Sequence, residues 1–156
     1  MSDTAKPVTE IPTDPSQISN DPNNPAVLAG ALLLELVPVP VTDIDEATAF
    51  YRDRVGFHLD VDVRPAPGVR IVQLTPPGSA CSIVLADGQP SLDGSEGGLR
   101  GLHLVVADIE AARADLCKRG VDVSEIEDVG GGVLYAHFAD PDGNTWCLQH
   151  MPWRMQ

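Results

Sequence analysis

The sequence predicts an α+β fold built from two tandem copies of one β-α-β-β-β unit. The segment at residues 41–47 (Val-Thr-Asp-Ile-Asp-Glu-Ala) returns 65 residues later, at 106–112, as Val-Ala-Asp-Ile-Glu-Ala-Ala. Gly78 is matched by Gly143 at the same offset. The apolar periodicity and the turn residues place the same five elements in the same order in both halves. Two such units enclose a cavity, and we expect function to reside there.

The composition fits one soluble domain that binds neither nucleic acid nor membranes. The chain has 156 residues, of which 43% are hydrophobic and only 4% aromatic, and its formal net charge is −13. The negative charge opposes phosphate backbones and anionic lipids, and the few aromatic residues disfavour a platform for base stacking. Three cysteines without C-x-x-C spacing predict neither a disulfide framework nor a structural zinc site, and they favour a cytoplasmic protein.

The domain plan follows from shifts in composition. Residues 1–28 are rich in Pro, Asp, Asn, Ser and Thr, and they bury too few apolar groups to offset the entropy of ordering, so they predict a disordered arm. We expect a first module over residues 29–88, a Gly/Ser/Asp-rich linker over 89–98 and a second module over 99–156. The apolar run at 27–41 contains Glu35 and two prolines and is too short to span a bilayer, so its second half predicts a buried strand.

In the first unit, a strand over residues 32–41 precedes a helix over 44–54. Thr42 or Asp43 is expected to cap this helix, and Gly56 to end it. Alternation and turn residues then predict strands at 57–63, 70–75 and 80–85.

The second unit repeats this order. A strand over residues 99–106 leads to a helix that Asp108 caps, that runs to Lys118 and that Gly120 ends. Strands follow at 121–126, 133–139 and 145–150. The turn Pro141-Asp142-Gly143 is typical of a three-residue hairpin loop, which pairs Asp140 with Asn144 and, further along, His137 with Cys147.

Two helix motifs and the last hairpin resemble a known superfamily. Residues 42–57 are similar to the first helix of glyoxalase/bleomycin-resistance/dioxygenase proteins, the vicinal oxygen chelate superfamily, and residues 138–144 resemble its closing hairpin. The resemblance covers residues 32–150 in the family's order. It implies two βαβββ modules whose sheets curl into an eight-stranded, partly open barrel, and it implies a homodimer.

The same resemblance places the family's four metal ligands at Leu36, Ser82, Gly101 and Cys147. Leucine and glycine have no donor side chain and a neutral serine is a poor ligand, so only Cys147 is a suitable donor. We therefore expect no metal and no other cofactor, which argues against a metal-dependent glyoxalase, dioxygenase or epimerase.

Strand alternation from these positions predicts the wall of the cavity. The first unit contributes a mostly apolar part and the second a polar part. The predicted ligand-binding residues are Leu36, Pro38, Ser82, Gly101, His103, His137, Cys147 and Gln149.

Three of these residues are candidates for catalysis, and each has a simpler explanation. His103 is also explained as a half-buried strand histidine bonded to a neighbour, and His137 faces solvent if the register slips by one residue. Cys147 is also explained as a small core residue; as a nucleophile it needs a lowered pKa, which a nearby imidazolium would provide.

Two functional classes stay open. One is a protein that binds or sequesters a small organic molecule without the usual metal, like the drug-resistance members of the family. The other is a lyase or isomerase that uses His103, His137 and Cys147, or an atypical metal, for acid–base chemistry.

Overall fold

The computed structural model describes residues 32, 34–88 and 98–153, which form two β-α-β-β-β units. The elements of the first unit are β1 (Leu36–Pro38), α1 (Ile44–Ala49, continued by a π-helix over Phe50–Val55), β2 (His58–Ala66), β3 (Val69–Thr75) and β4 (Ser82–Asp87). The elements of the second unit are β5 (Leu102–Val105), α2 (Ile109–Lys118), β6 (Glu127–Gly130), β7 (Val133–Ala139) and β8 (Thr145–His150). The predicted arm and all of the predicted linker except Gly98 lie outside the described residues. No helix in the described ranges is long and apolar enough to cross a membrane.

Each unit forms one four-stranded sheet, and the two sheets have the same topology. The strand orders are β1-β4-β3-β2 in the first sheet and β5-β8-β7-β6 in the second. In both sheets the first strand pairs in parallel with the last, and the other pairs are antiparallel. Over the described part of the chain the strands form two sheets and no closed barrel. The predicted α+β architecture of tandem βαβββ units is confirmed.

Both helices pack against one face of the sheets, where a single hydrophobic cluster joins the two units. Strand alternation sends every second side chain to this face. The helices begin where predicted, because the carboxylates of Asp43 and Asp108 each accept a backbone hydrogen bond of 3.0 Å from the first turn. The sheet residues of the cluster include Val72, Leu74, Ile83, Leu85, Ala136, Phe138, Trp146 and Leu148.

The first helix ends in a π-helix because it holds one residue more than its counterpart. Asp43 caps α1 and Gly56 ends it, whereas Asp108 and Gly120 bound α2 at a spacing one residue shorter. Both glycines have a positive φ, +93° and +89°, as left-handed residues that end helices do. An extra residue inside a helix is accommodated as a wider π turn.

The predicted strand at residues 121–126 is wrong. Val121 and Val123 are buried, which explains the strand-like alternation, but the segment's backbone bonds to β7 only through Ser124 N–H and His137 O (2.8 Å), and the regular ladder begins at β6. Arg113 of α2 binds the backbone instead: its Nε donates to Ser124 O (2.6 Å) and its Nη2 to Val123 O (3.2 Å). A guanidinium thus satisfies carbonyls that a strand partner would otherwise engage.

A buried polar network holds the second unit's hairpin against the first unit. Asp140 accepts hydrogen bonds from Tyr51 Oη (2.7 Å), from Asn144 Nδ2 (2.7 Å) and from the backbone N–H groups of Asp142 and Asn144 (both 2.9 Å). Trp146 Nε1 donates to Tyr51 Oη at 3.0 Å. Burial raises the pKa of the Tyr51 phenol, and the neighbouring Asp140 acts in the same direction, so Tyr51 keeps its proton and donates it.

Asn144 joins three segments. Its Nδ2 also donates to Pro40 O (2.9 Å), and its Oδ1 accepts from Leu99 N (2.8 Å). Asn144 is fully buried, so its own amide group has no access to water.

We expect Asn144→Ala to lower the free energy of unfolding by about 1–3 kcal/mol, because it leaves two half-buried backbone groups and one buried carboxylate oxygen short of a partner. Urea unfolding followed by tryptophan fluorescence measures the change.

Thr48→Val is the matched control. The buried Thr48 Oγ1 has no hydrogen-bond partner among the described residues, so replacing the hydroxyl by a methyl group should leave stability unchanged or raise it. An Asn144→Ala variant as stable as Thr48→Val would contradict a structural role for the network.

Candidate functional site

The second sheet presents a face without helices, and the predicted histidines and cysteine lie on it. His103 of β5 and His137 of β7 are both register partners of Cys147 on β8, so the three form one row across the sheet. Cys147 is buried to 1% exposure, while both histidines are exposed. The predicted pairing of His137 with Cys147 is confirmed, and His103 shares their face. We call this surface the helix-free face of the second sheet.

A second row adds an aromatic residue that the sequence analysis missed. Tyr135 pairs with Gln149, which pairs with Val105. The Tyr135 ring makes edge contacts with His103 (centroids 5.6 Å apart) and His137 (6.1 Å), and Gln149 Nε2 donates to Tyr135 Oη at 3.5 Å. Tyr135 lies two residues before His137 on the same strand, so the alternation that placed His137 on this face also predicts Tyr135 there.

The first sheet has a helix-free face of different chemistry. Leu36 is the register partner of Ser82, and Pro38 is the partner of Val84. Gln73 of β3 also pairs with Val84, and its Nε2 donates to Ser82 Oγ at 3.1 Å. This face therefore combines the apolar Leu36, Pro38 and Val84 with a polar pair, Gln73 and Ser82.

Ser82 begins a chain of hydrogen bonds that the sequence did not predict. Ser82 Oγ and Thr75 Oγ1 are 2.6 Å apart, Thr75 Oγ1 donates to Asp60, and His58 Nδ1 lies 2.8 Å from the other oxygen of Asp60. The Thr75 hydroxyl and then His58 lower the pKa of the Asp60 carboxyl, so it stays ionised at neutral pH. Thr75 and Asp60 belong to two different strands, and their contact depends on a register that no local pattern encodes.

Several pockets in the described part of the chain are lined by both units, and one cavity of about 240 Å³ includes predicted site residues. Two of the eight predicted ligand-binding residues line it, Ser82 from the first unit and His103 from the second. The other six predicted residues are not among its lining residues: Leu36, Pro38, Gly101, His137, Cys147 and Gln149.

Gly101 lies before β5 rather than within it. Its φ is +73°, which interrupts strand alternation, so its orientation does not follow from that of His103. Its carbonyl oxygen accepts a 2.5 Å hydrogen bond from His103 Nδ1, and its N–H donates to Thr145 Oγ1 at 2.7 Å. Gly101 thus positions His103 through its backbone.

The four positions of the family's metal ligands do not form a metal site. Leu36 and Gly101 offer no donor atom, and the hydroxyl of Ser82 is engaged by Thr75 and Gln73. Within the described ranges there is no group of three or more His, Cys, Asp or Glu side chains that could hold a metal ion. The residues present do not fit the family's divalent ion.

The environment of Cys147 opposes its use as a nucleophile. Burial raises the pKa of the thiol, and Glu127 acts in the same direction. The thiol therefore stays protonated at neutral pH, although two histidines flank it in the same row.

We expect a thiol reagent such as dithiobisnitrobenzoate to modify the exposed Cys117 rapidly at pH 8 and Cys147 slowly, because Cys147 is both inaccessible and protonated. Mass spectrometry of tryptic peptides identifies the labelled site. In the Cys117→Ser variant the fast phase should disappear, and fast labelling of Cys147 in native protein would restore it as a candidate nucleophile.

Comparison with known proteins agrees with the resemblance. Residues 33–148 match the model of the Glyoxalase/Bleomycin resistance protein/Dioxygenase superfamily. No curated protein matches the chain. The solved structure of TnmS3, an antibiotic binding protein from Streptomyces sp. CB03234, is 37% identical, with a TM-score of 0.66 over 78% of this chain and 97% of that one.

Two further structures lead to the same assignment. A glyoxalase/bleomycin resistance protein from the same Streptomyces strain is 38% identical, with a TM-score of 0.61 over 74% of this chain and 98% of that one. A superfamily member from Sphaerobacter thermophilus DSM 20745 is 31% identical, with a TM-score of 0.65 over 77% and 98% of the two chains. The chain belongs to the glyoxalase/bleomycin resistance/dioxygenase superfamily.

Proposed function

We propose that this protein binds and sequesters a small organic antibiotic on the helix-free faces of its two sheets, without the metal of the family's enzymes. The observation that carries the proposal is the aromatic row His103–Tyr135–His137, which is in edge contact and partly exposed to solvent. Exposed rings held by strands offer flat surfaces on which an organic ring can stack. The 37% identity to an antibiotic binding protein supports the same conclusion.

The row is continuous with the cavity between the units, since His103 belongs to both. A molecule with one ring in the cavity would extend over Tyr135 and His137. Apolar surface with a few converging polar groups is typical of small-molecule sites. Gln149 and the exposed histidines supply such groups on this face.

A lyase or isomerase is the alternative. It would need a nucleophile, a matched acid–base pair or a metal. The raised pKa of the Cys147 thiol and the poor donor set at Leu36, Ser82 and Gly101 favour binding over this alternative.

We also propose a cytoplasmic homodimer. Val61 and Val63 of β2 and Val105 of β5 are between 37% and 46% exposed, and a second copy would cover such residues. The three free cysteines are compatible with a reducing compartment.

We expect His137→Ala to weaken antibiotic binding by about 3- to 10-fold without changing the unfolding midpoint, since one ring contact is worth about 0.5–1.5 kcal/mol. Quenching of tryptophan fluorescence by a panel of aromatic antibiotics that includes bleomycin provides the affinities. Lys118→Ala, an exposed change on α2, is the matched control and should leave them unchanged. Equal affinities for the His137→Ala and parent proteins, or no binding by any compound of the panel, would reject the proposal.

A second measurement concerns the metal. We expect the protein to contain much less than one equivalent of any transition metal after purification without chelators and dialysis, because Leu36 and Gly101 offer no ligand atom. Elemental analysis by mass spectrometry tests this. One equivalent that is lost in the His103→Ala or Cys147→Ala variant would instead support the enzyme alternative.

A further inference from the structure

The cavity of about 240 Å³ has apolar walls and few polar side chains. Its apolar lining residues are Leu34, Val37, Pro76, Ile83, Leu102, Leu104 and Trp146. This volume is below the roughly 300–1,000 Å³ of sites for drug-sized molecules and accommodates one ring-sized group. What such a group must carry follows from where each polar side chain directs its protons.

Ser82 has donated its only proton. Thr75 has a single hydroxyl proton, and Asp60 is an ionised carboxylate that can only accept, so the Thr75 proton lies on the bond to Asp60. Ser82 must therefore donate across the 2.6 Å contact to Thr75 Oγ1. Gln73 Nε2 donates to Ser82 Oγ, which leaves one lone pair of that oxygen without a partner.

The position of the ring proton of His103 follows from the same reasoning. A backbone carbonyl only accepts, so the 2.5 Å contact with Gly101 O requires the proton on His103 Nδ1. In the neutral imidazole the other nitrogen, Nε2, then carries a lone pair and no proton. His103 thus adds a second acceptor to the wall of the cavity.

The remaining polar side chains of the wall follow the same rule. Ser79 Oγ donates to Cys81 O (2.9 Å), and the Cys81 thiol donates to Ser82 O (3.6 Å). Trp146 Nε1 donates to Tyr51 Oη. Every polar side chain among the described lining residues has therefore given its protons to other groups of the protein.

We infer that the side chains of this cavity favour a ring-sized apolar group that carries a hydrogen-bond donor, such as a hydroxyl or an amine, over an anion or a group that only accepts. Ser82 Oγ and His103 Nε2 are the acceptors, and Thr75 is a positioning residue that orients the Ser82 hydroxyl. The net charge of −13 acts in the same direction, against anions. The inference deepens the proposed function, because it names the chemistry of the part of the bound molecule that enters between the units.

Three single-ring probes test it: phenol donates a hydrogen bond, acetophenone only accepts, and benzoate is an anion. Amide shifts in NMR titrations at about pH 8 give affinities and locate the probe. In the parent protein, phenol should bind about fivefold more tightly than acetophenone and shift the amides of Ser82 and His103. Benzoate should not bind.

Thr75→Val is the decisive variant. It removes the acceptor of the Ser82 proton with little change of volume, so Ser82 becomes free to donate into the cavity. The preference for phenol over acetophenone should fall about fivefold or invert, which a merely structural role of Thr75 would not produce. Thr48→Val, the same substitution at a hydroxyl outside the cavity, should keep the parent preference.

Ser82→Ala keeps the inference testable if Thr75→Val does not fold. This variant should bind phenol more weakly than the parent protein does and should bind acetophenone with the same affinity. The inference is overturned by equal affinities in the parent, by binding of benzoate, by an unchanged preference in Thr75→Val, or by no binding of phenol up to about 50 mM, the range expected of a weak single-ring probe. Failure here is distinguishable from failure of the proposed function, because antibiotic binding that depends on His137 is measured with other compounds on another part of the surface.

Discussion

The buried Asp140 carboxylate is the group on which the arrangement of the two units depends. A buried charge is costly unless several donors surround it. Here four hydrogen bonds reach it, three from its own hairpin and one from Tyr51 of the first unit. The hairpin geometry that sets the register of β7 and β8 is therefore also the geometry that attaches the hairpin to α1. The pairing of Cys147 with His137 and the attachment of the two units therefore have one cause.

The first unit carries different side chains in the row that holds His137 and Cys147 in the second. At the repeat offset Cys147 corresponds to Ser82. The register that pairs Leu74 with Ile83 sets Thr75 opposite Ser82, as His137 is opposite Cys147. In the first unit this row forms a chain of hydrogen bonds, because the Thr75 hydroxyl bonds to Asp60 and Ser82 on the helix-free face. The same row of the repeat thus carries a histidine beside a thiol in one copy and two hydroxyls in the other.

Much of this structure could be predicted from the sequence because its causes are local. The carboxylate caps, the glycines that end helices and the Pro141-Asp142-Gly143 turn act within a few residues, and they led to the correct helix starts and to the pairing of His137 with Cys147. The error at residues 121–126 has a long-range cause, since Arg113 satisfies carbonyls ten and eleven residues away. The same holds for the site. Strand alternation predicted on which face of its sheet a side chain lies, whereas the hydrogen bonds of Asp60, Thr75 and Ser82 depend on the register of three strands.

The divergence of the two copies has a consequence for recognition. A cavity between identical halves would offer the same groups in two orientations related by a twofold axis, and a ligand could bind either way. Here the first unit contributes Ser82, whose proton is directed away from the cavity, while the second contributes His103 and the rings that continue from it. A molecule bound as proposed would place its donor between Ser82 and His103 and its flat surface along Tyr135 and His137. Only one orientation satisfies both conditions, so the asymmetry between the repeats is itself a source of specificity.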